Sequence, residues 1–371
     1  MNKPQMAKER PEAPQMPRTM THQVMVGRSG HGGVAVGGGA PVSVQSMLNA
    51  PVHDVDANLR QIEALAEVGC EIVRMAIPER TALRSFAQVC ARSPLPVVAD
   101  VHFDAHIALE AAWSGAAKLR INPGNIGGLA KTDQVIDAAR GAGIPIRIGV
   151  NAGSLDASIA ARRDLTLPQK LAESAVQYVR YFEEDRGFRD LVVSAKAHDV
   201  PATIATYRIL SQRLPHVPLH IGITEAGTVM QGTIKSAAGL GVLLEQGIGD
   251  TMRISLTDDP TLEVRAAWQL LAALDMRRRT PEMISCPTCG RCQVDMIPIA
   301  KQVEEALSHV AKPIKVAVMG CVVNGPGEAA DADVGVACGA GQAALFRNGK
   351  IVAKVDESRI VDALLEEVEK L

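Results

Sequence analysis

Aromatic residues are scarce, at 3% of 371: two Trp, three Tyr and five Phe. That excludes a core of stacked rings and an aromatic platform for single-stranded nucleic acid. Net charge is scarce too, since 39 Lys and Arg face 41 Asp and Glu for a formal charge of −2, so nothing global attracts a polyanion or an anionic membrane. No apolar run approaches the roughly 18 residues of a membrane span, and residues 1–20 hold no apolar block of signal-peptide type. The expectation is a cytoplasmic protein with neither a nucleic-acid nor a membrane partner. There, its seven cysteines read as buried thiols, metal ligands or catalytic groups before disulfides.

What is present is aliphatic. Apolar residues reach 47% and charged ones 22%, enough for a large core of Ala, Val, Ile and Leu. Residues 1–20, proline-rich and without periodicity, read as a mobile leader. From 21 to 275 one pattern repeats: a short apolar strand, a turn, then a helix-period segment. The strands are VSVQS from Val42, IVRMA from Ile72, VVADV from Val97, AKLRI from Ala117, IRIGV from Ile146, LVVSA from Leu191, LHIGI from Leu219 and MRISL from Met252. Eight βα units predict an α/β fold with an N-terminal (β/α)8 TIM-type barrel, against a doubly wound open sheet as the alternative. The glycine-rich run before the first strand predicts a hairpin closing the barrel floor, because a phosphate loop would place its glycines between strand and helix. The pattern breaks at a basic linker, 276–281. Residues 282–371, with KVAVMGCV, ADVGVAC, a turn at Asn348-Gly349 and a helix from Glu357, predict a smaller α+β domain.

Five barrel strands carry a cation among apolar neighbours: Arg74, Arg120, Arg147, Lys196 and Arg253. A buried cation costs several kcal/mol unless paired, so five converging on one barrel mouth require internal carboxylates or an anionic ligand. The strand-end acids Asp100 and Glu225 are too few, and the surplus of about three charges suits a diphosphate. The competing reading turns these side chains outward into ordinary salt bridges between barrel and helices. His102, Asn122, Asn151 and Ser255 also lie at or just past strand ends, the face where barrel enzymes place their chemistry.

Cys286-Pro-Thr-Cys289 is followed by Cys321 in MGCVVNGPGE. A lone CxxC fits half a zinc ribbon, a redox dithiol or part of an iron–sulfur site. No second CxxC or His pair stands at ribbon spacing. Three thiolates with a weaker fourth ligand describe an iron–sulfur cluster whose one iron is open to substrate. That fourth ligand is Glu328, past the turn Asn324-Gly325-Pro326-Gly327, or Cys292. Cys70, Cys90 and Cys338 sit in apolar contexts and read as core packing. A phosphate-binding barrel with a structural zinc module is the alternative for the whole chain.

The blocks PVSVQSM, VADVHFD, KLRINPGNIG, IRIGVNAGS, VVSAKAHD, GITEAG, MRISLT, SCPTCGR and GCVVNGPGE, in that order, resemble the 4-hydroxy-3-methylbut-2-en-1-yl diphosphate synthase family of the non-mevalonate isoprenoid pathway. The resemblance runs from about residue 22 to the C-terminus. It implies reductive ring opening of 2-C-methyl-D-erythritol 2,4-cyclodiphosphate, with electrons from flavodoxin or ferredoxin. By motif position it implies that Arg74, Arg120, Arg147, Lys196 and Arg253, helped by Asn151 and Ser255, hold the diphosphate. Cys286, Cys289 and Cys321 would bind a [4Fe-4S] cluster with Glu328 on the apical iron; Glu225 and Glu328 would donate protons, and Asn324 would steady the substrate. It also implies a homodimer whose active site is shared between subunits.

Overall fold

The computed structural model describes residues 18–27, 32–321, 332–339 and 341–371. They form two units, divided between Leu270 and Leu271.

The first unit opens with the hairpin of β1 (Val24–Val26) and β2 (Val34–Val36). Eight βα pairs follow: β3 (Ser43–Met47) and α1 (Val55–Glu67), β4 (Ile72–Ala76) and α2 (Leu83–Arg92), β5 (Val97–Asp100) and α3 (Ala105–Trp113), β6 (Lys118–Ile121) and α4 (Leu129–Ala142). Next come β7 (Ile146–Asn151), the short α5 (Ala157–Ala160) and α6 (Leu167–Arg180), β8 (Leu191–Lys196) and α7 (Val200–Arg213), β9 (His220–Ile221) and α8 (Val229–Glu245), and β10 (Thr251–Met252) and α9 (Pro260–Ala273). All pairings in the sheet are parallel. Its order is β8-β7-β6-β5-β4-β3-β10-β9, and a bridge between Val193 and Leu219 joins the two ends. The sheet is thus a nearly closed barrel, not an open doubly wound sheet.

Local chemistry sets the helices. In α1 the Asp54 carboxylate accepts from the Ala57 N–H at 2.9 Å, an N-cap, while Leu59, Ile62 and Leu65 recur on one buried face. Each of those three contributes about 1.5–3 kcal/mol of burial. The hairpin packs Val24, Val26 and Val36 against Ile72, Val98 and Val192, which lie at the beginnings of β4, β5 and β8. It therefore closes the N-terminal floor, as its glycines before the first strand implied. Residues 18–20 are tied down rather than loose: Arg18 pairs with Asp250 at 3.1 Å and donates to the Ala40 carbonyl. The rest of the expected leader lies outside the described residues.

Strands β9 and β10 are shorter than their apolar runs suggest. The ladder stops at Gly222, where a Cβ would lie 2.6 Å from Lys196 Nζ and 2.7 Å from the Arg253 carbonyl. Room for a cation there replaces regular strand.

The second unit holds a five-stranded mixed sheet of β11 (Glu282–Ser285), β12 (Lys315–Met319), β13 (Val334–Cys338), β14 (Gln342–Arg347) and β15 (Lys350–Asp356), in that order. The first three run parallel and the last two close antiparallel. The turn between β14 and β15 has Asn348 at φ 49° and Gly349 at φ 72°, the left-handed pair a tight hairpin requires. Helices α10 (Met296–Leu307) and α11 (Ile360–Glu369) pack on one core through Val303, Leu307, Ile360 and Leu364 against Val316, Val318, Val334 and Val336. This is the expected small α+β domain.

Candidate functional site

Register decides which way the barrel cations point. Asp100, Arg120 and Arg147 are side-by-side partners on β5, β6 and β7, and Arg74, Val98 and Lys118 form the next tier toward the floor. Partners in a ladder share one face of a sheet. Alternate residues such as Val73, Ala99, Leu119 and Ile148 are fully buried and apolar, as residues under the helices must be. Lys118 on β6 bears on His220 of β9, three strands round the ring. The cations therefore line the interior, and the outward salt-bridge reading fails. A TIM barrel ordinarily fills that space with branched aliphatic side chains; here it is polar.

Two carboxylates organise part of the cationic set. Asp100 lies 3.1 Å from Arg120 Nη1 and 3.4 Å from Arg74 Nε, and His102 Nε2 stands 2.7 Å from Arg120 Nη1. Burial alone would raise the Asp100 carboxyl, but Arg74, the His102 hydrogen bond and Arg120 outweigh it and hold the group well below the usual carboxylate range. The second carboxylate is Glu263 of α9, which grips Arg253 through both oxygens at 3.0 and 3.1 Å and accepts from Ser46 Oγ and the Leu256 N–H. This corrects the sequence reading of internal acids: Glu225 is exposed, and Glu263 is the buried counterion.

No described carboxylate pairs with the remaining cations, Arg147 and Lys196. Burial, reinforced by neighbouring cations, pushes Arg147 and Lys196 well below their ordinary values, and burial brings Arg74 down to about 10. Arg147 Nε and Nη1 make no hydrogen bond with any described residue. Glycines admit the bulky heads: a Cβ on Gly149 would lie 2.5 Å from Arg120 Nε.

Around this set stand the other strand-end residues. With its amide turned to suit its neighbours, Asn151 accepts from Arg120 Nη2 at 3.1 Å. Asn122 is buried and braces its own loop by accepting from the Gly124 N–H at 3.1 Å. Ser255 is half-buried two residues past Arg253. Glu225 holds φ 52° in the loop after β9, a left-handed backbone that costs a non-glycine residue on the order of 1 kcal/mol.

Three members of this interior escape a reading of one cation per strand. Lys118 is signalled by its position two residues before Arg120, hence on the same face. His220 stands in the same relation to Gly222. Glu263 has no such signal, because it comes from a helix.

In the second unit, Cys286 follows β11 directly and Cys321 lies two residues past β12, its parallel neighbour. The Cys286 N–H donates to the Val318 carbonyl at 3.3 Å, and the Gly320 N–H donates to Cys286 Sγ at 3.1 Å. A Cβ on Gly320 would lie 2.5 Å from Cys292 Sγ and 3.3 Å from Cys286 Sγ. Cys289 is exposed, Cys321 buried, and Cys292 packs beside the core with Sγ 3.3 Å from the Val294 carbonyl. Burial, with Cys292, Glu357 and Cys286 nearby, pushes the Cys338 thiol up to about 11. Cys286 and Cys321 thus stand at one end of two adjacent strands, with the Cys292 and Cys286 sulfurs both beside Gly320. Among the described residues no three Cys, His, Asp or Glu side chains are close enough to enclose a metal ion. Asn324 and Glu328 lie outside the described residues.

Comparison with known proteins bears on both units. Residues 21–268 match the family described as GcpE TIM-barrel domain, and residues 282–370 match the GcpE protein C-terminal domain. A relative from Geobacter sulfurreducens, 4-hydroxy-3-methylbut-2-en-1-yl diphosphate synthase (flavodoxin), is 51% identical over 95% of this chain and 98% of its own. One of the same name from Caldanaerobacter subterraneus subsp. tengcongensis is 48% identical over 95% and 98%. Among solved structures, dihydropteroate synthase from Thermus thermophilus superposes with a TM-score of 0.50 at 16% identity, covering 69% of this chain and 98% of its own, a likeness of barrel fold alone.

Proposed function

The chain belongs to the GcpE family, and from that premise we propose that it performs the reductive ring opening of 2-C-methyl-D-erythritol 2,4-cyclodiphosphate to 4-hydroxy-3-methylbut-2-enyl diphosphate, with loss of water and uptake of two electrons. The observation that carries this reading is the barrel interior, where, among the described residues, Asp100 and Glu263 are the carboxylates that pair with Arg74, Arg120 and Arg253, beside Arg147 and Lys196. A cyclic diphosphate has one acidic oxygen on each phosphorus and enters as a dianion. When its carbon–oxygen bond breaks, the leaving phosphate gains a charge and the product is a trianion. A surplus of cationic side chains, positioned before the substrate arrives, stabilises that developing charge with little reorganisation. Asn151 and Ser255 help to orient the phosphates, and Asn324 steadies the rest of the molecule.

The family also implies an iron–sulfur cluster, and the donor set fits one: Cys286 and Cys321 emerge from the same end of paired strands, with Cys289 three residues from the first. These three thiolates hold a [4Fe-4S] cluster, Glu328 supplies a weaker oxygen ligand, and Cys292 lies outside the ligand set. Bound there, the cluster supplies single electrons and a Lewis-acidic iron for the departing oxygen. Glu225 and Glu328 are the proton donors. Flavodoxin, the donor in the relatives' name, is the electron carrier, with ferredoxin the other carrier of that kind. The enzyme acts in the cytoplasm as a homodimer sharing its active sites between subunits, with 276–281 joining the two domains of each chain. No helix among the described residues is long and apolar enough to cross a membrane.

Anaerobic purification tests this reading. Brown protein with roughly four iron and four sulfide per chain, converting the cyclodiphosphate with reduced flavodoxin, is the expected result. Colourless protein with one zinc, the structural-module alternative, contradicts it.

A further inference from the structure

Lys118 has no role in the account so far, and its surroundings are unusual. It is fully buried on β6, and its Nζ makes no hydrogen bond with any described residue. It shares the inward face of the strand with Arg120, one tier nearer the floor, beside Val98 and thus in the same tier as Arg74. The two tiers are separated by about 6.6 Å of strand, a distance that a lysine's four-carbon stem spans. The charges that bear on it share its sign, Arg147 on β7 and Arg74 on β4; Arg120 lies two residues along its own strand, and the charge of Lys118 itself reaches His220 on β9. Asp100 on β5 is committed to Arg74 and Arg120. An aliphatic residue would fill that position without the cost of burying an ammonium, so stability does not explain Lys118.

Resting on the proposed reaction, we infer that Lys118 is a further substrate-anchoring residue, whose ammonium meets the phosphates from beneath the ring of arginines. Before the substrate enters, burial and the positive neighbours Arg147 and Arg74 push the lysine well below its ordinary value, which favours the neutral amine. The incoming dianion reverses that balance, so the amine takes a proton from solvent and binds as ammonium. The cyclodiphosphate has no proton to exchange near neutrality, so any uptake belongs to the protein. His220 and Lys196 line the same interior and are likewise pushed down by burial and by Arg147, so the test must separate Lys118 from both.

The test is anaerobic calorimetric titration of the oxidised holoenzyme with the cyclodiphosphate at pH 7.5, in buffers of different ionisation enthalpy. Wild-type protein is expected to take up protons on binding, as much as about one of them at Lys118. Lys118→Met should lower that uptake, leaving the share of Lys196 and His220, and weaken binding by about tenfold or more, with no fall in the thermal midpoint of the unliganded protein. Lys118→Arg, which keeps a cation that cannot release its proton, should bind with the same lowered uptake and covers the case in which the methionine variant does not fold. Uptake undiminished in either variant, or affinity unchanged in Lys118→Met, overturns the inference and leaves the proposed reaction standing. Wild-type protein that does not bind the cyclodiphosphate overturns both.

Discussion

Gly149 and Arg120 stand so close that β7 can carry no side chain opposite the guanidinium: a Cβ at Gly149 would come within 2.5 Å of Nε. The glycine is an absence that makes a place. Its neighbour Arg120 is thereby lodged between Asp100 and Asn151.

Gly149→Ala should therefore act on the ligand more than on the fold. Arg120 must shift to accept the methyl, at a cost of about 1–3 kcal/mol for overpacking. The expected outcome is folded protein with a slightly lowered thermal midpoint and KM for the cyclodiphosphate raised at least tenfold. Steady-state kinetics against reduced flavodoxin check it.

Arg147→Met should separate binding from stability in the other direction. Two of the three guanidinium nitrogens have no hydrogen-bond partner among the described residues, and replacing a buried unbalanced ion by an apolar side chain of similar size is neutral or stabilising by about 1–4 kcal/mol. The unliganded variant should melt at or above the wild-type temperature. Added pyrophosphate should raise the wild-type midpoint, through ligand linkage, and leave the variant's nearly unmoved. Differential scanning fluorimetry reads both.

Asp100 gives a pH dependence of definite sign. Its carboxyl is held below the unfolded value of about 3.9, so the unfolded state binds more protons as the solution is acidified. The stabilisation is complete above about pH 4 and is lost progressively as pH falls below it. Asp100→Asn leaves Arg74 and Arg120 without their shared counterion and should cost about 3–5 kcal/mol at neutral pH. Urea unfolding of both proteins at pH 3 and pH 7 should show the gap narrowing at the lower pH.

The cysteines divide by position. Serine substitutions at Cys286, Cys289 and Cys321 should each abolish or deplete the cluster, whereas Cys292→Ser should retain iron and sulfide near the wild-type content. Gly320→Ala places a methyl against Cys292 and Cys286 Sγ and should lower cluster occupancy although it removes no ligand. Iron and labile-sulfide analysis after anaerobic reconstitution distinguishes these outcomes.

Much of this was legible in the chain itself. The βα repeat showed the barrel, because strand and helix periods differ and each unit needs both. The inward cations were visible as charges inside apolar strands, and Asn348-Gly349 marked its hairpin. The counterion was not: Glu263 reaches Arg253 and Ser46 from α9, a tertiary pairing without local periodicity. Lys118 stands two positions before Arg120, on the same strand face, where a pattern of one charge per strand hides it. The extents of β9 and β10 were overread because apolar content alone hides the break that Gly222 makes for Lys196.

The proposed reaction needs the diphosphate held in the barrel interior and a cluster that Cys286, Cys289 and Cys321 would hold, which would supply electrons and a Lewis-acidic iron. Electron paramagnetic resonance of the reduced holoenzyme, recorded with and without the cyclodiphosphate, tests this most directly. The cluster signal should change on addition of the cyclodiphosphate, and Arg147→Met should require far more of it for the same change. A spectrum identical in its presence and absence, at concentrations where calorimetry shows the barrel occupied, would contradict it.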